Sequence, residues 1–456
     1  MTGALATLLC QAGLSQAGST EGADGLARRL RAHGIGEDEP VLLQIGNRPG
    51  DLTALLGVWL AGGVAVPVHV SAAAHTVAAL RQATSARLAV DGAVVKVIAA
   101  RPPPGRPLLR GAALVVFTSG TTGRQKGVVI GHDALAGKLG VLDRLLALRP
   151  EDVVVVPLQL TFIFGIWAAL LARRSGARLV LVQKFSRPAI EAAVTEGATV
   201  LAAVPSMLRV LMAPPPAAAG RLRLLLTGGE ALGPALGRGI GLAWPGVGMF
   251  DLYGSTETGS CDFAHRPAAD SPEGAIWRPT DGVTHAVLAG DGSPVLPGSP
   301  GELAIQTPYG MAGYLDDPAL TRDAFAGSYF RTGDLARALP DGSVALVGRL
   351  KEIVSRGGNK VAPQEIDNLL GSHPDVVASL TAGVPDARLG EALHAVVVLA
   401  DGAVATPATL RAWLAERIER YKVPDVIELG DALPTGPTGK ASRAALRAGL
   451  LARREG

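Results

Sequence analysis

"TSGTTGRQKG", residues 118–127, follows the apolar run "ALVVF" and precedes "VVI" and a helical pattern. The apolar run reads as a buried strand, and the polar stretch as the loop that leaves it. Four hydroxyl side chains and two glycines come before Lys126. Such a loop presents backbone N–H groups and hydroxyls to phosphate oxygens, glycine permits close approach, and lysine supplies charge. The spacing is G-x-x-G-x-x-K and not the G-x-x-x-x-G-K-[ST] of ordinary P-loop NTPases, so a phosphate site of another kind is expected.

Working outward, short Val/Leu runs recur at 40–46, 64–70, 113–119, 152–158, 177–182, 198–204 and 221–229. Helical spacing fills 51–61, 72–83, 133–148 and 188–196. Near-continuous apolar strands alternating with helices predict an α/β architecture of parallel-rich sheets covered on both faces. Pro-rich stretches at 101–107 and 213–220 read as surface loops. After about residue 290 turns multiply, which predicts a β-rich subdomain. The last hundred residues form a small α+β unit, with strands over "DVVASLTAGVPD" and "EALHAVVVLA" and a helix over 406–421. The expected division is 1–347 and 348–456.

At 456 residues the chain is long enough for two domains, with 43 basic and 40 acidic residues. That balance gives no electrostatic footprint for nucleic acid. Cys10 and Cys261 stand far apart, which argues against a disulfide scaffold or structural zinc. No charged leader with an apolar core opens the sequence, and no apolar run suffices to span a bilayer, so a cytoplasmic protein is expected.

"DLYGSTETG" (251–259), "YFRTGDLA" (329–336), "GRLKEIVSRGGNKVAPQEID" (348–367) and "LPTGPTGKASR" (433–443) follow the glycine loop in order. Together these resemble the motif set of the adenylate-forming superfamily: acyl-CoA synthetases, adenylation domains and luciferases. The resemblance implies a large ATP- and acid-binding domain and a small mobile lid. It assigns Thr118, Ser119, Gly120, Thr121, Thr122, Gly123 and Lys126 to the ATP phosphates. Gln125 stands where the family usually has proline.

By the same resemblance Thr256 contacts the α-phosphate and Glu257 holds Mg²⁺. Asp334, supported by Arg349, accepts the ribose hydroxyls. Tyr253 offers a flat face to adenine, with Asp251, Gly229 and Glu230 beside it. Lys440 is the implied catalytic cation and Lys351 the hinge. Arg356, Gly357, Gly358 and Lys360 would face CoA. Phe162, Phe164, Gly165, Thr227, Gly228, Leu252 and Gly254 would line the acid pocket. Many CoA ligases carry histidine where Phe162 stands. No aspartate occurs between residues 153 and 190, which disfavours an α-amino acid whose ammonium would need a partner. "TFIFG" and "GGEAL" resemble benzoate-type CoA ligases.

The expected activity is therefore ATP-dependent ligation of an aryl or small apolar acid to CoA through an acyl-adenylate. One alternative is transfer of the acyl group to the phosphopantetheine of a separate carrier protein. Another is an inactive nucleotide-binding relative that serves as a sensor or scaffold.

Overall fold

The computed structural model describes residues 19–119, 125–212, 220–267, 276–436 and 441–455. Gly120, Thr121, Thr122, Gly123, Lys440 and Cys10, with residues 213–219 of the loop expected at 213–220, lie outside the described residues.

The described residues form three sheets, of seven, twelve and five strands. In the first, Val64–His69 lies between Pro40–Ile45 and Ala112–Ser119 and is parallel to both. Leu88–Asp91 extends the parallel set beyond Pro40–Ile45. Antiparallel strands close both margins: Val94–Val97 on one, Gln125–Gly131 and then Gly313–Tyr314 on the other. The β-branched runs occupy the centre, where both faces are buried and side-chain stiffness costs little.

The second sheet opens with five parallel strands in the order Arg178–Leu181, Val153–Val156, Val200–Ala202, Leu224–Gly228 and Gly248–Tyr253. It then continues antiparallel through Phe263–His265, Ile276–Pro279, Val344–Arg349, Tyr329–Ala338, Pro300–Gln306 and Thr284–Leu288. The expected β-rich subdomain is thus the antiparallel half of the same sheet. One core joins the first two sheets, with Leu114, Val128, Leu139, Val156, Trp167 and Leu226 all buried in it. Trp59 satisfies its indole by donating to the Ala113 carbonyl at 2.7 Å.

The third sheet carries Val354–Arg356, Asn359–Val361, Val376–Asp386, Gly390–Leu399 and Val426–Leu429 around a separate core of Val361, Ile366, Leu393 and Leu410. The helix expected over 406–421 is shorter, Pro407–Ala415. Thr406 caps it by accepting from the Thr409 amide. Beyond it the chain turns inward, because the buried Lys422 ammonium bonds Glu365 at 2.8 Å and Glu419 at 3.0 Å. No described helix is long and apolar enough to cross a membrane.

Candidate active site

Leu224–Gly228 and Gly248–Tyr253 are parallel neighbours, so the loops "GGEA" and "GSTET" leave the same edge of the sheet. Loops at the carboxyl ends of parallel strands are where α/β sheets gather ligands. Two glycines permit the close approach. A Cβ at Gly228 would stand 2.3 Å from the Leu252 carbonyl oxygen, and one at Gly254 would stand 2.5 Å from the Cys261 amide nitrogen. Gly229 adds a left-handed backbone, φ +78°.

Tyr253 ends its strand and donates its hydroxyl to Asp334 Oδ2 at 2.7 Å. Arg349 Nε holds the other oxygen, Oδ1, at 3.0 Å. Asp334 and Arg349 face each other because their antiparallel strands pair them in register. Burial raises the Asp334 carboxyl, and the guanidinium opposes that rise. The ring of Tyr253 rests near Trp277, at 5.9 Å between centroids. An aromatic platform beside a carboxylate fits a nucleoside, through base stacking and hydroxyl acceptance.

Two residues deeper on the same strand, Asp251 is buried and its Oδ1 has no hydrogen-bond partner among the described residues. Desolvation pushes its carboxyl up to about 8, so at neutral pH it carries a proton. Its register neighbour Thr227 is also buried with an unpartnered hydroxyl.

The phosphate side assembles from three segments. Thr118 and Lys126 sit opposite each other in the hairpin formed by Ala112–Ser119 and Gln125–Gly131, and Ser119 pairs with Gln125. Lys126 Nζ stands 5.3 Å from the centre of the Tyr314 ring. The Tyr314 hydroxyl donates to Glu257 Oε1 at 3.0 Å. Thr256 is half-buried beside Glu257. Their loop is braced from below by a buried ion pair, Lys138 to Asp262 at 3.2 Å, and Thr258 links that pair to Ser255. The sequence alone pointed to neither Tyr314 nor the Lys138–Asp262 pair. "GYLDD" offered only a Gly-Tyr dipeptide, and Lys138 looked like one more polar residue on a helix.

No group of three His, Cys, Asp or Glu able to hold a metal occurs among the described residues. Glu257 is a single carboxylate close to a lysine. That suits Mg²⁺ arriving on a nucleotide, which takes one or two protein carboxylates and completes its shell with phosphate and water.

Glu230 lies near this edge, where it accepts from the Ser206 amide at 3.2 Å and the Ser206 hydroxyl at 2.9 Å. In the acid-pocket group, Gly165 is pressed onto the Gln159 carbonyl, where a Cβ would approach to 2.5 Å. Phe162 starts its helix and is 52% exposed. Phe164 stacks on buried Trp167 at 4.9 Å and 14°, packed against the core. The two phenylalanines therefore play different parts, and only Phe162 presents a free ring. Leu252 is buried in the shared core.

Lys351 is exposed in the short turn Leu350–Glu352 that joins the second sheet to the third. Gly357 and Gly358, φ +55° and +81°, make a two-residue turn between Val354–Arg356 and Asn359–Val361. Consecutive left-handed residues are what a tight hairpin of primed type requires. Arg356 points back into its own domain, onto Asp425 and the carbonyls of Tyr421 and Val423. Lys360 is exposed and donates to Ser355 Oγ at 2.6 Å. Arg443, just beyond the expected catalytic lysine, bonds Asp367 at 2.7 Å and Gln364 at 3.0 Å. Cys261 is buried and its thiol pushed up to about 12 by desolvation, so it is not a nucleophile.

Against known proteins, residues 17–104 and 98–315 match the family profile of the AMP-binding enzymes, and 365–440 match that of the AMP-binding enzyme C-terminal domain. A feruloyl-CoA synthase from an Amycolatopsis species is 32% identical over 455 residues, covering 92% of this chain and 91% of that one. A fatty acid–[acyl-carrier-protein] ligase, ScoC of Streptomyces coeruleorubidus, is 33% identical over 348 residues, covering 73% of this chain and 66% of that one. Among solved structures, the amide bond synthetase McbA from Marinactinospora thermotolerans superposes with a TM-score of 0.83 at 25% identity, covering 99% of this chain and all of that one.

Proposed function

The chain belongs to the AMP-binding enzyme family, and from that premise we propose that it is an AMP-forming acid–CoA ligase acting on an aryl or other small apolar acid. The observation that carries the reading is the convergence of a nucleoside platform, Tyr253 with Asp334 and Arg349, on the same seam as Glu257 and Lys126.

In the first half-reaction a carboxylate oxygen of the acid attacks the α-phosphorus of ATP, and pyrophosphate leaves with the electrons of the broken P–O bond. The attack joins two anions, so it is accelerated mainly by fixed geometry and by cations placed where negative charge builds up. Tyr253 stacks on the base and Asp334 accepts from the ribose. Thr256 donates to the α-phosphate, Lys126 faces the outer phosphates, and Lys440 faces the α-phosphate from the small domain. Glu257 would hold Mg²⁺, which would supply charge neutralisation on the phosphates when bound. In the second half-reaction the thiolate of CoA attacks the acyl carbon, AMP leaves, and the thiol proton passes to water. Residues 348–456 act as the lid that turns about Lys351 between the two steps. Reliance on ATP and CoA supports a cytoplasmic location.

Support for an apolar acid comes from the free ring of Phe162 and from the run 153–190, which carries no acidic residue. A carrier protein as the thiol donor is the second reading, favoured by the similarity to ScoC.

The test is ATP–pyrophosphate exchange across a panel of benzoates, cinnamates, short branched acids, dicarboxylates and amino acids, followed by product analysis with CoA. Exchange with ring or small apolar acids, and acyl-CoA as product, is expected. Exchange without acyl-CoA at saturating CoA selects the carrier. No exchange with any acid defeats the ligase reading.

A further inference from the structure

Residues 309–315 run between the two sheets and touch the phosphate side of the site from both directions. The Met311 amide donates to the Glu257 carbonyl at 2.7 Å, which ties the segment to the loop of the second sheet. The Ala312 and Leu315 amides donate to Val129 and Gly127 at 2.8 Å each, which ties it to the strand that carries Lys126. Gly313 and Tyr314 pair in register with Val129 and Val128. A further bond, from the Tyr314 amide to Thr321 Oγ1 at 2.9 Å, fixes the backbone from behind.

The side chain repeats this bridging. Tyr314 is only 4% exposed, so its ring has one fixed place. Its hydroxyl reaches Glu257 and its face lies under Lys126. Its O–H is the donor and the carboxylate the acceptor, since an ionised carboxylate has no proton to give. One hydroxyl donor on one carboxylate oxygen fixes the carboxylate plane and leaves the second oxygen to bind elsewhere.

We propose that Tyr314 is the positioning residue of the phosphate site: its hydroxyl orients the Glu257 carboxylate toward the nucleotide-borne metal, and its ring sets the distance from that carboxylate to the Lys126 ammonium. It touches neither phosphate nor acid. The proposal rests on the assignment of Glu257 and Lys126 to MgATP. It adds a prediction about how metal and nucleotide affinities separate.

Tyr314→Phe removes the hydroxyl and keeps the ring, whereas Tyr314→Leu removes both. ATP binding is measured by calorimetry with and without Mg²⁺, and adenylation and thioester formation are assayed separately, the latter from synthetic acyl-adenylate. Loss of one hydrogen bond to a charged group is expected to weaken MgATP binding about 10- to 100-fold. For Tyr314→Phe, metal-free ATP affinity and thioester formation stay within about threefold of the parent, since neither uses the oriented carboxylate. Tyr314→Leu also weakens metal-free ATP binding, about fivefold, through the lost ring–cation contact. In a Glu257→Gln background the Phe change adds little further loss.

Unchanged MgATP affinity in Tyr314→Phe overturns the proposal. So does equal loss in MgATP binding, metal-free binding and thioester formation, which marks a merely structural residue. If the parent enzyme shows no acid-dependent exchange, the ligase reading fails, while the calorimetric comparison still decides the role of Tyr314.

Discussion

Two hairpins, one in the first sheet and one in the third, are built on different principles. The hairpin of Ala112–Ser119 and Gln125–Gly131 lies within a sheet, paired on one flank by Val64–His69 and on the other by Gly313–Tyr314. Its key side chain, Lys126, meets a ring from a remote part of the sequence. The hairpin of Val354–Arg356 and Asn359–Val361 has three residues per strand and a glycine pair at its tip. Its arginine is held by residues of its own domain. The first hairpin takes its geometry from the whole large domain. The second carries its geometry with it, as the proposed lid would have to do.

The largest effect should come from crossing that divide. Lys440→Ala removes a small-domain cation from a large-domain reaction. Adenylation should fall about 10²–10³-fold, the usual consequence of deleting one preorganised charge. Thioester formation from preformed acyl-adenylate should be spared. Equal losses in both half-reactions would erase the distinction between a fixed side and a moving side.

A smaller effect sharpens the picture of the second hairpin. Arg356→Ala takes the guanidinium from Asp425 Oδ1 and two carbonyls, while Oδ2 keeps the Leu393 amide, so unfolding stability should drop by about 2 kcal/mol, read as a lower denaturant midpoint. Lys360→Ala should leave that midpoint unchanged and raise only the KM for CoA, about two- to threefold, as expected for an exposed charge. If Arg356→Ala is stable and affects CoA alone, the hairpin is not self-contained.

The smallest effect lies on the fixed side. Near pH 4, where the fold keeps the Asp251 proton and the unfolded chain has only begun to release it, Asp251→Asn should change stability by less than about 1 kcal/mol. The sign of its pH dependence follows from a carboxyl raised from 3.8 to about 8. The folded state keeps the proton longer than the unfolded chain, so the parent protein loses stability as pH climbs from about 4 to 8. The Asn variant should lack that decline, which urea titrations at pH 5, 7 and 8.5 would reveal.

Where side chains dictate their own placement, the sequence was easy to read. Runs such as "VVVV" at 153–156 can only be buried strands between helices, and all seven apolar runs became strands of the first two sheets. Val94–Val97 escaped because two of its valines face solvent, at 55% and 54% exposure, and give no burial signal. The same limit governed the site. Tyr253 and Asp334 carried recognisable neighbours. The contact between Tyr314 and Glu257 joins residues far apart in sequence, and neither spacing nor composition encodes it. Phe162 and Phe164 looked equivalent in "TFIFG", yet helical geometry turned one toward solvent and the other onto Trp167.

The two-residue strand Gly313–Tyr314 has a consequence for how the protein is made. It covers the outer margin of Gln125–Gly131, and it reaches that margin only through chain that has already passed along the second sheet. During synthesis the seven-stranded sheet therefore waits with one bare edge, rich in valine, until residue 314 has left the ribosome. An uncovered edge of that kind is an invitation to pair with another nascent chain. A ribosome that stalls before this point releases a fragment with a complete-looking first sheet and an open flank. The short strand is thus also a cap on that edge.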